Sequence, residues 1–138
     1  MAVLSDVRAA LAAAVDNVPG LRATASVTGD VSPPMAVIIP APGTFITYDV
    51  AFEQGVADMS FEVILLVSYA DERAGQLLLD GYLSATGPSS VPAAVAAARP
   101  LGGGADYAVV TDAQNYGLIP WGGVEYLGAR LLVTAGTE

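Results

Sequence analysis

Carboxylates are the side chains with which this chain would have to do chemistry, because its 138 residues contain no histidine and no cysteine, and all five basic residues are arginine. Without imidazole or thiol there is no disulfide, no thiolate nucleophile, no zinc site with nitrogen or sulfur ligands and no histidine base. Paired carboxylates and oxygen-ligated Mg²⁺ or Ca²⁺ remain open. Asp71-Glu72 is an acidic pair, but it stands where a helix begins and there complements the helix dipole. Asp106 and Asp112 are six apart on a predicted strand, on one face yet ~20 Å apart at ~3.3 Å per residue. That separation is too large for an acid–base pair or a shared metal. Asp49, Glu53 and Asp58 surround a loop that could hold a weak cation, and a solvated loop is the simpler account. Leu101-Gly102-Gly103-Gly104 lacks the Gly-Lys-Ser/Thr ending of a phosphate loop and precedes a predicted strand, so it reads as a connector. Ser5, Ser89 and Ser90 are helix caps, and none sits in a Gly-x-Ser-x-Gly elbow. These residues predict no catalytic site, no metal and no cofactor, and hence a protein that is not an enzyme.

Composition narrows the partners. Fourteen acids against five arginines give a formal net charge of −9. The arginines Arg8, Arg22, Arg73, Arg99 and Arg130 are scattered, whereas gripping a phosphate backbone needs clustered cations. The acidity serves either solubility alone or a more specific role. The chain is 54% hydrophobic, but its longest apolar runs, Met35–Ile39 and Val63–Val67, fall far short of the roughly 20 residues of a membrane span. The N-terminus has no basic region and carries Asp6, unlike a signal peptide. The expectation is a soluble chain that is not exported.

Hydrophobic periodicity supplies the elements that position these residues. Leu4, Val7, Leu11, Ala14, Val15 and Val18 form an apolar stripe, predicting a helix over Val3–Asn17 stopped by Pro19-Gly20. Leu21–Pro34 reads as a short strand or an extended loop. Met35–Ile39 is a short buried strand between prolines, and Phe45–Phe52 is a strand or a loop around Tyr48. Asp58–Tyr69 is the clearest strand: Met59, Phe61, Val63, Leu65 and Val67 share one face, with Ser60, Glu62, Ile64, Leu66 and Ser68 on the other. The second face turns apolar at Ile64 and Leu66, which predicts a cover from a helix or a neighbouring subunit. A second helix opens at Asp71, with Ala74, Leu77, Leu78, Gly81 and Ala85 as its stripe, widened by Leu79, Tyr82 and Leu83. Gly87-Pro88 ends it. Ser89-Ser90 caps a short third helix over Val91–Ala98. Asp106–Gln114 is a strand, Asn115–Gly123 a connecting loop and Val124–Thr134 the last strand, the two strands pairing as an antiparallel hairpin. The order predicts one α+β domain over residues 1–138, an antiparallel sheet with helices packed on one face.

Apolar and aromatic residues beyond that core mark candidate contact surfaces. Ile64 and Leu66, the Ala41–Gln54 segment with Tyr48, and the stretch Tyr116–Trp121 together with Tyr126 are the candidates. Trp121 has an equally plain alternative role, covering the end of the core.

The element order, together with Ser84–Val95 (SATGPSSVPAAV), Leu101–Val110 (LGGGADYAVV) and Asn115–Val133 (NYG…WGGVEYLGARLLV), resembles the tail terminator proteins of long-tailed, siphovirus-like bacteriophages, above all those of high-GC actinobacterial hosts. The resemblance implies a helix-covered sheet assembled as a homo-oligomer, a six-membered ring in the neck region of the virion tail. That ring ends the tail tube, binds the tail tube protein and the head-side connector or head-closure protein, and passes DNA through its lumen without engaging a membrane. The protein would reside in the host cytoplasm before assembly. Six copies at −9 each carry −54, and acids lining a bore would repel the phosphate backbone. Rival readings are another ring or tube component, such as a head-closure adaptor or tail tube protein. More distant is a small carboxylate-based enzyme or ligand-binding domain.

Overall fold

The computed structural model describes residues 4–25, 33–43, 46–49, 55–68, 72–98, 101 and 107–136, without the side chains of 4, 46–49, 55–57 and 72. Helix α1, Leu4–Asp16, turns Val7, Leu11 and Val15 inward to zero exposure, as the i, i+4, i+8 spacing requires. Strand β1, Arg22–Thr24, follows, then β2, Met35–Pro40, β3, Ile46–Asp49, and the long β4, Gly55–Val67. Helices α2, Glu72–Leu83, and α3, Val91–Ala97, precede the two longest strands of the C-terminal half, β5, Tyr107–Trp121, and β6, Val124–Gly136.

The six strands form one sheet in the order β1-β2-β4-β6-β5, with β3 paired to β4. β2 lies antiparallel along Phe61–Leu66 of β4, and β3 along Gly55–Met59, so the two short strands share one edge of β4 end to end. β6 runs antiparallel along the other edge, from Asp58↔Gly136 to Val67↔Leu127. The β1–β2 pair is parallel, which makes the sheet mixed where the sequence predicts an antiparallel one. The α+β class and the helices packed against the sheet are as expected.

One face of the sheet meets the helices. Met59, Phe61, Val63, Leu65 and Val67 of β4 and Leu127, Ala129, Leu131 and Val133 of β6 join Leu11, Leu79, Tyr82 and Val95 in the main core. Each large side chain fully removed from water there, such as Phe61 or Leu131, contributes about 1.5–3 kcal/mol. Ser90 is the α3 N-cap: its hydroxyl accepts from Ala93 N at 3.0 Å and donates to the Ser84 carbonyl. Those two bonds satisfy an orphan helix donor and tie α3 to the end of α2.

Three expectations are corrected. The buried stripe of α2 is Gly75, Leu79 and Tyr82, while Leu77 and Leu78 are 66% and 40% exposed. Gly75 sets this face: a Cβ there would lie 2.9 Å from the Ser68 carbonyl oxygen, so the helix approaches the sheet through its smallest residue. The predicted Asn115–Gly123 loop is mostly strand, because β5 runs on to Trp121 and turns only at Gly122-Gly123. Both glycines have positive φ, 59° and 83°, as a two-residue type I′ hairpin turn demands. The apolar half of the second sheet face meets residues of the chain's own β5–β6 hairpin where a helix or neighbouring subunit was expected.

Candidate functional site

The second face of the sheet has an apolar half and a polar half. In the apolar half Val37, Ile64, Leu66 and Ile119 form a second buried cluster, against which Ile39, Trp121 and Tyr126 pack. Gly128 makes this closure fit: it stands between Leu66 and Gly117 in the ladder, and a Cβ on it would strike the Leu65 carbonyl oxygen and come within 2.9 Å of Ile119 Cδ1. The isoleucine therefore occupies the space above the glycine.

This cluster redistributes the contact residues expected from sequence. Ile64 and Leu66, 1% and 0% exposed, are consumed by the chain's own packing and are withdrawn as free surface. Trp121 and Tyr126 are half-buried on the same cluster, the role of end-cover anticipated for Trp121. Tyr116 stays exposed, and its hydroxyl donates to Asp80 Oδ1 at 2.8 Å, tying β5 to α2. A slight loss of hydration, then the hydrogen bond and charge of Asp80, raise its pKa above the usual 10. Tyr48 of β3 pairs with Val56 of β4 beside a register shift, and its side chain lies outside the described residues, as does most of the segment from 44 to 54.

The exposed apolar surface lies elsewhere on the hairpin. Val109, Tyr116, Leu118 and Val124 are each about half exposed, at 46–51%, and three of them belong to β5. β5 is an edge of the sheet, and Asp112 is the one charged residue in its sequence. Bulges between Val110 and Asp112 and between Gln114 and Gly117 interrupt its ladder, so this edge presents side chains more than a continuous row of backbone groups. Leu77, one turn before Asp80 on α2, adds a further exposed leucine. Sequence reasoning missed Val109 and Val124, while Leu118 lies inside the Tyr116–Trp121 stretch it had marked.

The polar half of the second face is a trough of about 350 Å³, bounded by Ala41 and Pro42 after β2 and by Thr111 and Gln114 of β5. Ser60, Leu132 and Thr134 line it, and Glu62 lies in its floor. Glu62 is 4% exposed and its Oε2 accepts from Arg130 Nη1 at 3.1 Å. The pair sits on one face because Arg130 stands opposite Ile64, one pleat along from Glu62. The Arg130 side chain keeps 32% of its exposure, so water retains part of one partner while the other is nearly dry. Sequence reasoning had placed Glu62 on this face as a polar residue without seeing its burial. A lone acid between Phe61 and Val63, with an arginine in the neighbouring strand, was the available signal.

The described residues contain no group of three or more His, Cys, Asp or Glu side chains able to hold a metal ion. No helix among them is long and apolar enough to cross a membrane. Asp71, Asp106 and Gly102–Gly104 lie outside the described residues. No family model, curated protein or solved structure matches the chain.

Proposed function

We propose that this chain is a structural, non-enzymatic protein that assembles with copies of itself. Its assembled form is a six-membered ring of the tail-terminator type, closing a bacteriophage tail tube and joining it to the head-side connector, with DNA passing through the lumen. The observation that carries the reading is the apolar surface of the β5–β6 hairpin. Three half-exposed large side chains on β5, an edge strand with one charge, and Val124 beside its turn, with Tyr116 and Leu118 on the helix side of the sheet and Val109 and Val124 on the other, make an edge that a partner can cover from both sides. The α+β architecture agrees with the fold that the resemblance implies. The net charge of −9 suits a bore that must release DNA.

Native mass spectrometry and negative-stain imaging of the purified chain test this directly. A closed ring of six supports the terminator, and long helical stacks would instead assign the chain to the tube itself. A strict monomer that also fails to join purified tail tubes would overturn the proposal. Leu118→Glu should abolish ring formation while changing folding stability by no more than about 0.5 kcal/mol, as expected for an exposed site. An intact ring in that variant removes the hairpin from the interface.

A further inference from the structure

We propose that the trough on the polar half of the open sheet face is a binding site for a guanidinium group, carried by an arginine side chain or by a free arginine-like molecule. The inference does not depend on the assembly reading. Its first support is Glu62, a carboxylate more than nine-tenths buried in the floor of a cavity of about 350 Å³. Burying a carboxylate costs several kcal/mol unless it is paired and hydrogen-bonded. Arg130 meets only part of that need: it gives Oε2 one bond, from Nη1 at 3.1 Å, through a side chain that itself keeps 32% of its exposure.

The walls decide the class of ligand. Ser60, Thr134 and the Gln114 amide of the lining offer oxygen acceptors, while Leu132 and Pro42 supply apolar surface. A planar group with several donors and an alkyl stem satisfies both at once, which is the chemistry of arginine. An anion meets the carboxylate and a chain of net charge −9. A divalent cation finds one carboxylate in this lining, and hard cations of that kind take six or more oxygens or keep most of their water. The volume lies at the bottom of the roughly 300–1,000 Å³ range of small-ligand sites, suited to one side-chain-sized group.

The full chain, isotope-labelled and followed by amide-resolved NMR, is titrated with N-acetyl-L-arginine amide, with the uncharged citrulline analogue and with free L-arginine. The expected result is saturable shifts at Ser60, Glu62, Thr111, Gln114 and Thr134 with the arginine probe and none with citrulline. Glu62→Gln should weaken binding about tenfold or more, the loss of a charge-assisted bond. Should that variant fail to fold, Gln114→Leu on the exposed rim decides, with an expected weakening of about threefold or more. Tighter binding of the capped probe assigns the site to an in-chain arginine, and tighter binding of L-arginine assigns it to the free molecule. Shifts that do not saturate and spread over the acidic surface, or equal binding of citrulline, overturn the proposal.

Discussion

The two ends of the sheet are built on opposite plans. At one end β1 is three residues long. Its Arg22 N–H points inward to the Pro34 carbonyl, so the N–H of Ala23 points outward, where the Asp16 carboxylate takes it at 3.1 Å. A strand trying to add there meets a short, capped edge beside α1. At the other end β5 is 15 residues long. Its two bulges and Pro120 break the row of backbone donors, while Val109, Tyr116 and Leu118 stay half exposed. One edge is closed against strand addition. The other invites contact through side chains and discourages unlimited sheet growth, a combination suited to a defined interface.

That contrast can be broken from either end. Gly128→Val should have the largest effect, because the new Cβ collides with the Leu65 carbonyl and displaces Ile119. A loss of about 3 kcal/mol or more is expected in thermal or urea unfolding, and a near-native midpoint would show that β6 does not need this close approach. Asp16→Ala should cost about 0.5–1 kcal/mol, since the bond it removes is exposed. It should also raise strand-mediated association, read by light scattering; unchanged scattering would mean that Asp16 guards nothing. Tyr116→Phe is the smallest, about 0.5 kcal/mol or less at neutral pH. Because the folded pKa of Tyr116 is raised above 10, its contribution is fully present below pH 10 and declines as pH climbs through the folded value. A stability-against-pH curve should lose that decline in the phenylalanine variant, and superimposable curves would remove the Asp80 tie from the energetics.

Residues buried by regular alternation were legible in the sequence. The core faces of β4 and β6 and the stripe of α1 follow from spacing alone, because water is excluded along a single, evenly repeated side. What was not legible came from close approach. The α2 face is chosen by Gly75, which has no hydropathy to register, and Leu77 and Leu78 are left outside by it. The continuation of β5 was hidden by Asn115, Gly117 and Pro120, residues that usually break strands but are tolerated on an edge strand and at bulges. The site suffered the same way. Ile64 and Leu66 look like unsatisfied surface until the hairpin brings Ile119 over Gly128, and the burial of Glu62 depends on strands distant in sequence.

The Gly122-Gly123 turn also bears on the order in which the molecule is made. It joins β5 to β6 across two residues, so the loop-closure cost of zipping this hairpin is small, and hairpins of this kind form in about 1–10 μs. Pairing β4 with β6, whose first partners are Val67 and Leu127, closes a far longer loop and should come later. We therefore expect the adhesive edge to exist before the core that supports it. Refolding yield should then fall as protein concentration rises, and Leu118→Glu should flatten that dependence; a yield indifferent to concentration in both chains would place hairpin formation after core closure.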